Sequence, residues 1–273
     1  MTTRRATHAG SWYASDGEEL AGQLRAWLDA VEPSAGRARA VIAPHAGFAY
    51  SGPTAAYAYK HIDPEVVRRV FLLGPSHHVH LHGCALTGCA SYETPLGRIA
   101  IDRATNGELA QAGFETMALD TDEAEHSLEL HLPYIQAVMG SRSFQLVPVL
   151  VGSLAPADAE RYGQLLAPYL ADPQTVFVVS SDFINNYICE GIEALDRRAM
   201  DLIAEQDAAG FHAYQRETRN TICGQHPISL LLHSLGASPQ RHLLSWVKYA
   251  QSSKVTRNSD SSVSYASAVI ELA

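Results

Sequence analysis

The sequence predicts an α/β fold: a single domain spanning residues 1–273, built on a central mixed β-sheet with helices on both faces. Three observations predict it. Short runs of β-branched and apolar residues stop at turn residues, and segments of helical period lie between those runs. The 47% hydrophobic content over 273 residues is enough to bury a full core without disulfides or a structural metal. No fixed-period repeat, low-complexity block or long Gly/Ser/Pro linker divides the chain.

The buried strands are read at Ala38 to Ala43 before Pro44, Val70 to Leu73 before Gly74-Pro75, Leu146 to Val151 before Gly152, and Val176 to Val179 before Ser180. Helical spacing covers Leu20, Leu24, Trp27, Leu28 and Val31, then Leu154 to Leu170, Ile192 to Gln206 and Pro227 to Leu235. Strand and helix alternate, which is the pattern of a sheet covered on both sides. Cys84 to Thr87, Gly97 to Ile101, Leu243 to Tyr249 and Val263 to Leu272 read as further strands free to run antiparallel. Asp182 to Glu190 shows no period and reads as a loop, as does the tail from Gln251 to Ser262.

The formal charge of −9, from 20 Lys and Arg against 29 Asp and Glu, argues against nucleic acid as the partner, because phosphate-backbone affinity rests on clustered cations. No run of 18 apolar residues exists, and Arg4-Arg5 precede no apolar stretch, so neither direct membrane insertion nor a secretory signal is expected. A cytoplasmic location follows as the expectation. Cys84, Cys89, Cys189 and Cys223 lack paired zinc-finger spacing and read as reduced thiols.

The 13 histidines concentrate beside Gly, Pro, Ser and Asp. Ala40-Val41-Ile42-Ala43-Pro44 delivers His45 at a strand end, with Gly47 following to let backbone approach closely. Phe71-Leu72-Leu73-Gly74-Pro75 delivers Ser76, His77 and His78, and Phe177-Val178-Val179-Ser180-Ser181 delivers Asp182. Ligands of open α/β sheets bind beyond the carboxyl ends of strands, so these deliveries point to one cavity. Taken singly, each is an ordinary loop histidine or a capping aspartate. Their joint placement carries the reading.

Glu125-His126-Ser127-Leu128-Glu129-Leu130-His131 adds two imidazoles and two carboxylates. His126 and His131 are five apart, not the four of a helical zinc-protease motif, so they suit carboxylates orienting imidazoles or an acid/base role. Cys223, beside Gly224 and ahead of a helix that Pro227 opens, is the candidate third ligand, because a helix N-terminus favours thiolate.

With these residues the chain resembles the MEMO family, named for a mediator of receptor-driven cell motility. The likeness runs through His8-Ala9-Gly10-Ser11-Trp12-Tyr13, Ala43-Pro44-His45-Ala46-Gly47, Leu73-Gly74-Pro75-Ser76-His77-His78, Glu125-His126-Ser127, Glu129-Leu130-His131-Leu132-Pro133, Ser180-Ser181-Asp182-Phe183, Thr221-Ile222-Cys223-Gly224 and Tyr249-Ala250-Gln251-Ser252-Ser253. It implies a class III extradiol dioxygenase-like fold and a metal held by His45, His77 and Cys223, with Asp182 and His126 as the acid/base groups. Two histidines and a carboxylate suit Fe(II) oxygenases, whereas a thiolate in the third place also suits copper or zinc. Iron is the expected metal, copper the alternative and zinc third. One departure stands out: Asn185 occupies the place where the family pattern has a histidine, and the segment from Asp182 to Ile192 is short.

The functional expectation is a redox-metal protein acting in metal homeostasis or cell-motility signalling. The alternatives are an adaptor that captures a signalling protein or phosphopeptide in the former enzyme pocket, and an extradiol-type dioxygenase. A phosphate reader wants clustered arginines. Here they occur as the pairs Arg68-Arg69 and Arg197-Arg198.

Overall fold

A computed structural model describes residues 2–32, 37–183, 185–186, 192–253 and 262–273. In chain order the elements are β1 (Thr3–Arg4), α1 (Gly17–Asp29), β2 (Ala40–Ala43), α2 (Phe48–Tyr59), β3 (Arg69–Pro75), β4 (Cys84–Thr87), β5 (Ser91–Thr94) and β6 (Gly97–Ala100). There follow α3 (Arg103–Gln111), β7 (Glu115–Met117), α4 (Leu119–Ala124), α5 (His126–Glu129), α6 (Leu132–Met139), β8 (Gln145–Val151), α7 (Pro156–Ala171) and β9 (Thr175–Ser180). The last are β10 (Asn185–Asn186), α8 (Ile192–Ala204), α9 (Ala208–Thr218), α10 (Gln225–Ala237), β11 (His242–Gln251) and β12 (Ser262–Leu272).

The main sheet runs β10-β12-β2-β9-β3-β8-β4-β7, with β11 paired to β12. Its centre, β2-β9-β3-β8, is parallel. β12 joins β2, and β4 joins β8, in antiparallel sense, so the sheet is mixed as expected. Alternation along the central strands sorts the core. Ala40, Ile42, Phe71, Leu73, Phe177 and Val179 face α7 to α10. Val41, Ala43, Val70, Leu72, Val176 and Val178 face α1, α2 and α6. Both faces are therefore buried, and this is why the central strands read as unbroken apolar runs.

β6, expected as a further strand, lies outside the main sheet: β1, β5 and β6 form a separate three-stranded sheet. Within the stretch expected as loop, Asn185 and Asn186 pair antiparallel with Val263 and Ser262, while residues 184 and 187–191 lie outside the described residues, as do 254–261 in the tail and Cys189. Helix α10 starts at Gln225, two residues ahead of Pro227. Helix α2 had no sequence signal, because its buried positions surround the axis and Gly52-Pro53, which the helix runs through, are helix-breaking types. Cys84, Cys89 and Cys223 carry free thiols. Among the described residues, no helix is long and apolar enough to cross a membrane.

Candidate metal centre

The chemistry gathers where the parallel strands end. Pro44 stops β2, and the next residue, His45, is fixed by its backbone N–H donating to Asp182 Oδ1 at 2.9 Å. Its Nδ1 lies 2.7 Å from Ser180 Oγ, and that hydroxyl donates its own proton to the Ser127 carbonyl at 2.8 Å. Ser180 Oγ is thus left to accept from His45, which places the ring proton on Nδ1 and the free lone pair on Nε2.

His77, two residues beyond β3, is held by one carboxylate. Glu125 Oε2 accepts the His77 backbone N–H at 2.7 Å, and Glu125 Oε1 accepts Nδ1–H at 2.8 Å. The same Oε1 caps α5 through Ser127 N–H at 2.9 Å. Burial pushes the Glu125 carboxyl up, but the bond and charge of His77 outweigh it and hold the pKa down at about 2. In the neutral ring, Nδ1–H committed to Glu125 leaves the lone pair of Nε2 free for an ion. Gly74 makes this meeting possible: a Cβ there would collide with Ser127 and Leu128 of α5. The expected need for glycine at Gly47 is not met in this way, since a Cβ there would make only ordinary contact with the Trp12 carbonyl at 3.5 Å.

His126, at the start of α5, completes the group. Ring centroids are 5.2 Å apart for His45 and His77, 5.5 Å for His45 and His126, and 4.4 Å for His77 and His126. One ring nitrogen from each of the three lies within 4.8 Å of the others, close enough to converge on one ion. Imidazoles with the outer nitrogen committed to a hydroxyl or carboxylate are what a bound transition metal requires. The donor set fits. A second group, His78, Glu125 and His126, shares His126 on the outer side.

Cys223 lies outside both groups among the described residues. Its backbone N–H bonds the Asp182 carbonyl at 3.2 Å, and its side chain lines a neighbouring cavity of about 220 Å³ with Ser76, His80 and His226. The expected thiolate is reversed in the metal-free chain: burial first, then the Asp182 charge, pushes the thiol up to about 12. Asp182 adjoins His45 as expected, and burial raises its carboxyl to about 7, the range of an acid/base group at neutral pH.

The N-terminal segment closes the site from outside, which the sequence did not signal. Glu129 accepts from the His8 backbone N–H (2.9 Å), pairs with His8 Nδ1 (2.9 Å) and accepts from the Tyr13 hydroxyl (2.7 Å). Trp12 then lies 4.4 Å from the His126 ring, centroid to centroid. Behind Glu129 sits fully buried Arg4, bonded to Glu129, Asp122 and the carbonyls of Arg5, Asp122 and Glu125.

Burial lowers the basicity of His45, of His126 (to about 4, with His77 adding) and of His131 (to about 3). Unfolded imidazoles titrate near 6.5. As pH falls through that value the unfolded chain takes up protons that these folded rings refuse, so stability is lost from about pH 6.5 downward. At pH 5 His126 and His131 each account for roughly 2 kcal/mol and His45 acts in the same direction, while Asp182, which takes up its proton in the folded state over the same window, offsets about one ring. Thermal melts of the metal-free protein are expected to fall steeply between pH 7 and pH 5; a flat profile would refute neutral burial of these rings.

A mixed sheet with imidazoles gathered at the ends of its parallel strands makes this an α/β protein with a histidine group able to take a metal ion. The chain belongs to the family described as Memo-like protein, which it matches over residues 4–269. It is 45% identical to "Protein MEMO1" of Homo sapiens and 44% identical to "Protein MEMO1" of Danio rerio, each over 290 aligned positions that cover 99% of this chain and 98% of the relative. It is 44% identical to "Protein memo-1 homolog" of Caenorhabditis elegans, covering 98% of this chain and 82% of that one. The alignments exceed the 273 residues here, so these relatives carry residues that this chain lacks. Among solved structures, an uncharacterized protein, JW3007 of Escherichia coli K12, superposes with a TM-score of 0.55 at 11% identity, covering 84% of this chain and 98% of that chain, a likeness of fold alone.

Proposed function

We propose that this protein binds one redox-active transition-metal ion through His45 and His77, with the third donor from His126 or Cys223. The observation that carries the reading is the pair of committed Nδ1 atoms, which leaves two Nε2 lone pairs facing a common space. The spacing favours His126, and the family resemblance implies Cys223. Three imidazoles suit iron, copper or zinc, and a thiolate shifts the preference toward copper. Iron is the first choice and copper the second. A redox ion there would supply one-electron chemistry with oxygen or superoxide, beside the acid/base group Asp182, which His126 joins where Cys223 is the third donor. The physiological setting is proposed to be cytoplasmic metal or redox homeostasis linked to cell-motility signalling.

The adaptor reading stays second. Arg69 is engaged by Asp102 and Asp172, Arg197 by Glu193 and Arg198 by Glu217, so neither arginine pair offers an open cation cluster to a phosphopeptide. Ring cleavage of a catechol is the third reading.

Elemental analysis of tag-free protein from iron- and copper-supplemented medium tests the proposal. About one ion per chain is expected, lost in His45→Ala and His77→Ala. His126→Ala and Cys223→Ala identify the third donor by which of them releases the ion. Wild type that carries no metal and takes none up anaerobically refutes the reading and promotes the adaptor.

A further inference from the structure

The metal reading leaves His131 unused. It is 1% exposed, and its Nδ1 lies 2.6 Å from the hydroxyl of Tyr59, which is fully buried. No other partner of the Tyr59 hydroxyl occurs among the described residues, so the phenol donates to Nδ1 and the ring proton of His131 sits on Nε2. That Nε2 is buried with no hydrogen-bond partner. A phenylalanine and a leucine would fill such a place without leaving a buried donor unpaired, which costs stability.

The surroundings extend the pair in one direction. The Tyr59 ring stacks on Tyr134 with centroids 4.7 Å apart and planes 7° from parallel. Tyr134 stacks in turn on Trp27, at 6.4 Å and 20°. Trp27 lies against the backbone of Gly52, where a Cβ would strike its ring, and the Tyr134 hydroxyl donates to the Gly52 carbonyl at 2.6 Å. The chain of rings thus leads from fully buried Tyr59 to half-buried Trp27. On the other side, His131 is near enough to His45 for its charge to lower that ring's basicity.

We propose that Tyr59 and His131 form a proton-coupled redox pair, joined to the surface through Tyr134 and Trp27, that yields one electron to small one-electron oxidants such as hydroxyl radical derived from peroxide. The electron leaves the Tyr59 phenol and reduces the oxidant, hydroxyl radical becoming hydroxide. The phenolic proton passes along the existing hydrogen bond to His131 Nδ1, giving a neutral phenoxyl and an imidazolium. A one-electron reductant of the thiol or ascorbate class restores the phenolate, and the proton returns from His131.

Burial makes His131 a weak base, and this suits the cycle. An oxidised phenol is a far stronger acid than any imidazolium, so the proton still transfers outward. Once the electron is restored, the weakly basic imidazole gives the proton back at once. A stronger base would share the proton at rest and place charge in an apolar core. The inference goes beyond the metal reading and needs no ion, so the two can fail separately.

The test uses metal-free protein and a photogenerated ruthenium(III) polypyridyl complex as the oxidant, with rapid freezing and electron paramagnetic resonance. Wild type is expected to give a neutral tyrosyl signal that outlasts those of exposed tyrosines, and ring-deuterated tyrosine in the wild-type chain narrows it. Tyr59→Phe, which removes only a hydroxyl, loses the persistent signal. His131→Gln lowers its yield severalfold, and Trp27→Phe slows its appearance. Absence of a persistent radical in wild type, or its survival in Tyr59→Phe, overturns the proposal. An unchanged yield in His131→Gln removes the histidine from the pair and overturns it as well.

Discussion

Arg4→Ala is expected to destabilise the protein by about 3–5 kcal/mol, because it removes a cation buried between two carboxylates. The guanidinium is 0% exposed and its Nη1 lies 2.7 Å from Glu129 Oε2, while its Nε reaches Asp122 Oδ1 at 3.1 Å. Truncation leaves both carboxylates buried without their cation and the carbonyls of Arg5 and Glu125 without their donor. Asp122 keeps the Thr87 and Tyr92 hydroxyls at 2.6 Å each, and Glu129 keeps Tyr13 and His8, which cushions the loss without cancelling it. For a domain of this size the melting temperature should drop on the order of 10 °C. Arg4→Lys should fall between, because an ammonium replaces the charge but not the planar fork. A melt within a degree or so of wild type for Arg4→Ala would show that the network contributes nothing net. By contrast Arg5, whose side chain is largely exposed although paired with Glu123, should tolerate alanine far better.

Glu125→Gln is expected to weaken metal binding about 10- to 100-fold while leaving His45, His77, His126 and Cys223 in place. All three close partners of this carboxylate donate: the His77 backbone N–H, His77 Nδ1 and Ser127 N–H. An amide of the same shape must turn its NH2 toward at least one of them. If it faces Nδ1, the His77 proton moves to Nε2 and the lone pair meant for the ion is lost. Competition against a chromophoric chelator measures the affinity; a wild-type value would mean that Glu125 caps α5 and does no more.

The unbroken apolar runs that became β2, β3, β8 and β9 were legible because a strand buried on both faces has no polar alternate positions. His45 and His77 were legible as neighbours at the strand ends for the same reason, since each is the first imidazole after such a run. The approach of His126 to them was not. His126 reaches them only because Gly74 lets α5 settle on the end of β3, a tertiary contact with no signature in residue spacing. Cys223 was weighed on its place ahead of a helix, yet burial and the Asp182 charge outweigh a helix terminus for the metal-free thiol. Glu125 carries out the orienting role expected of it, whereas Glu129 turns instead to His8, Tyr13 and Arg4. That network joins residues more than a hundred positions apart, and the Arg4-Arg5 pair gives no hint of it.

The strand order bears on when the protein first becomes able to hold a metal. β2 and β3 follow one another along the chain, yet β9 lies between them in the sheet and carries Ser180, which fixes the His45 tautomer. A nascent chain has every imidazole of the group once residue 126 is made, but the slot that sets their spacing stays empty until residues 175–180 arrive. Long-range parallel pairing of this kind comes late in folding. On the proposed metal reading, acquisition is thereby a step for the nearly finished protein, and an ion offered earlier meets only scattered side chains.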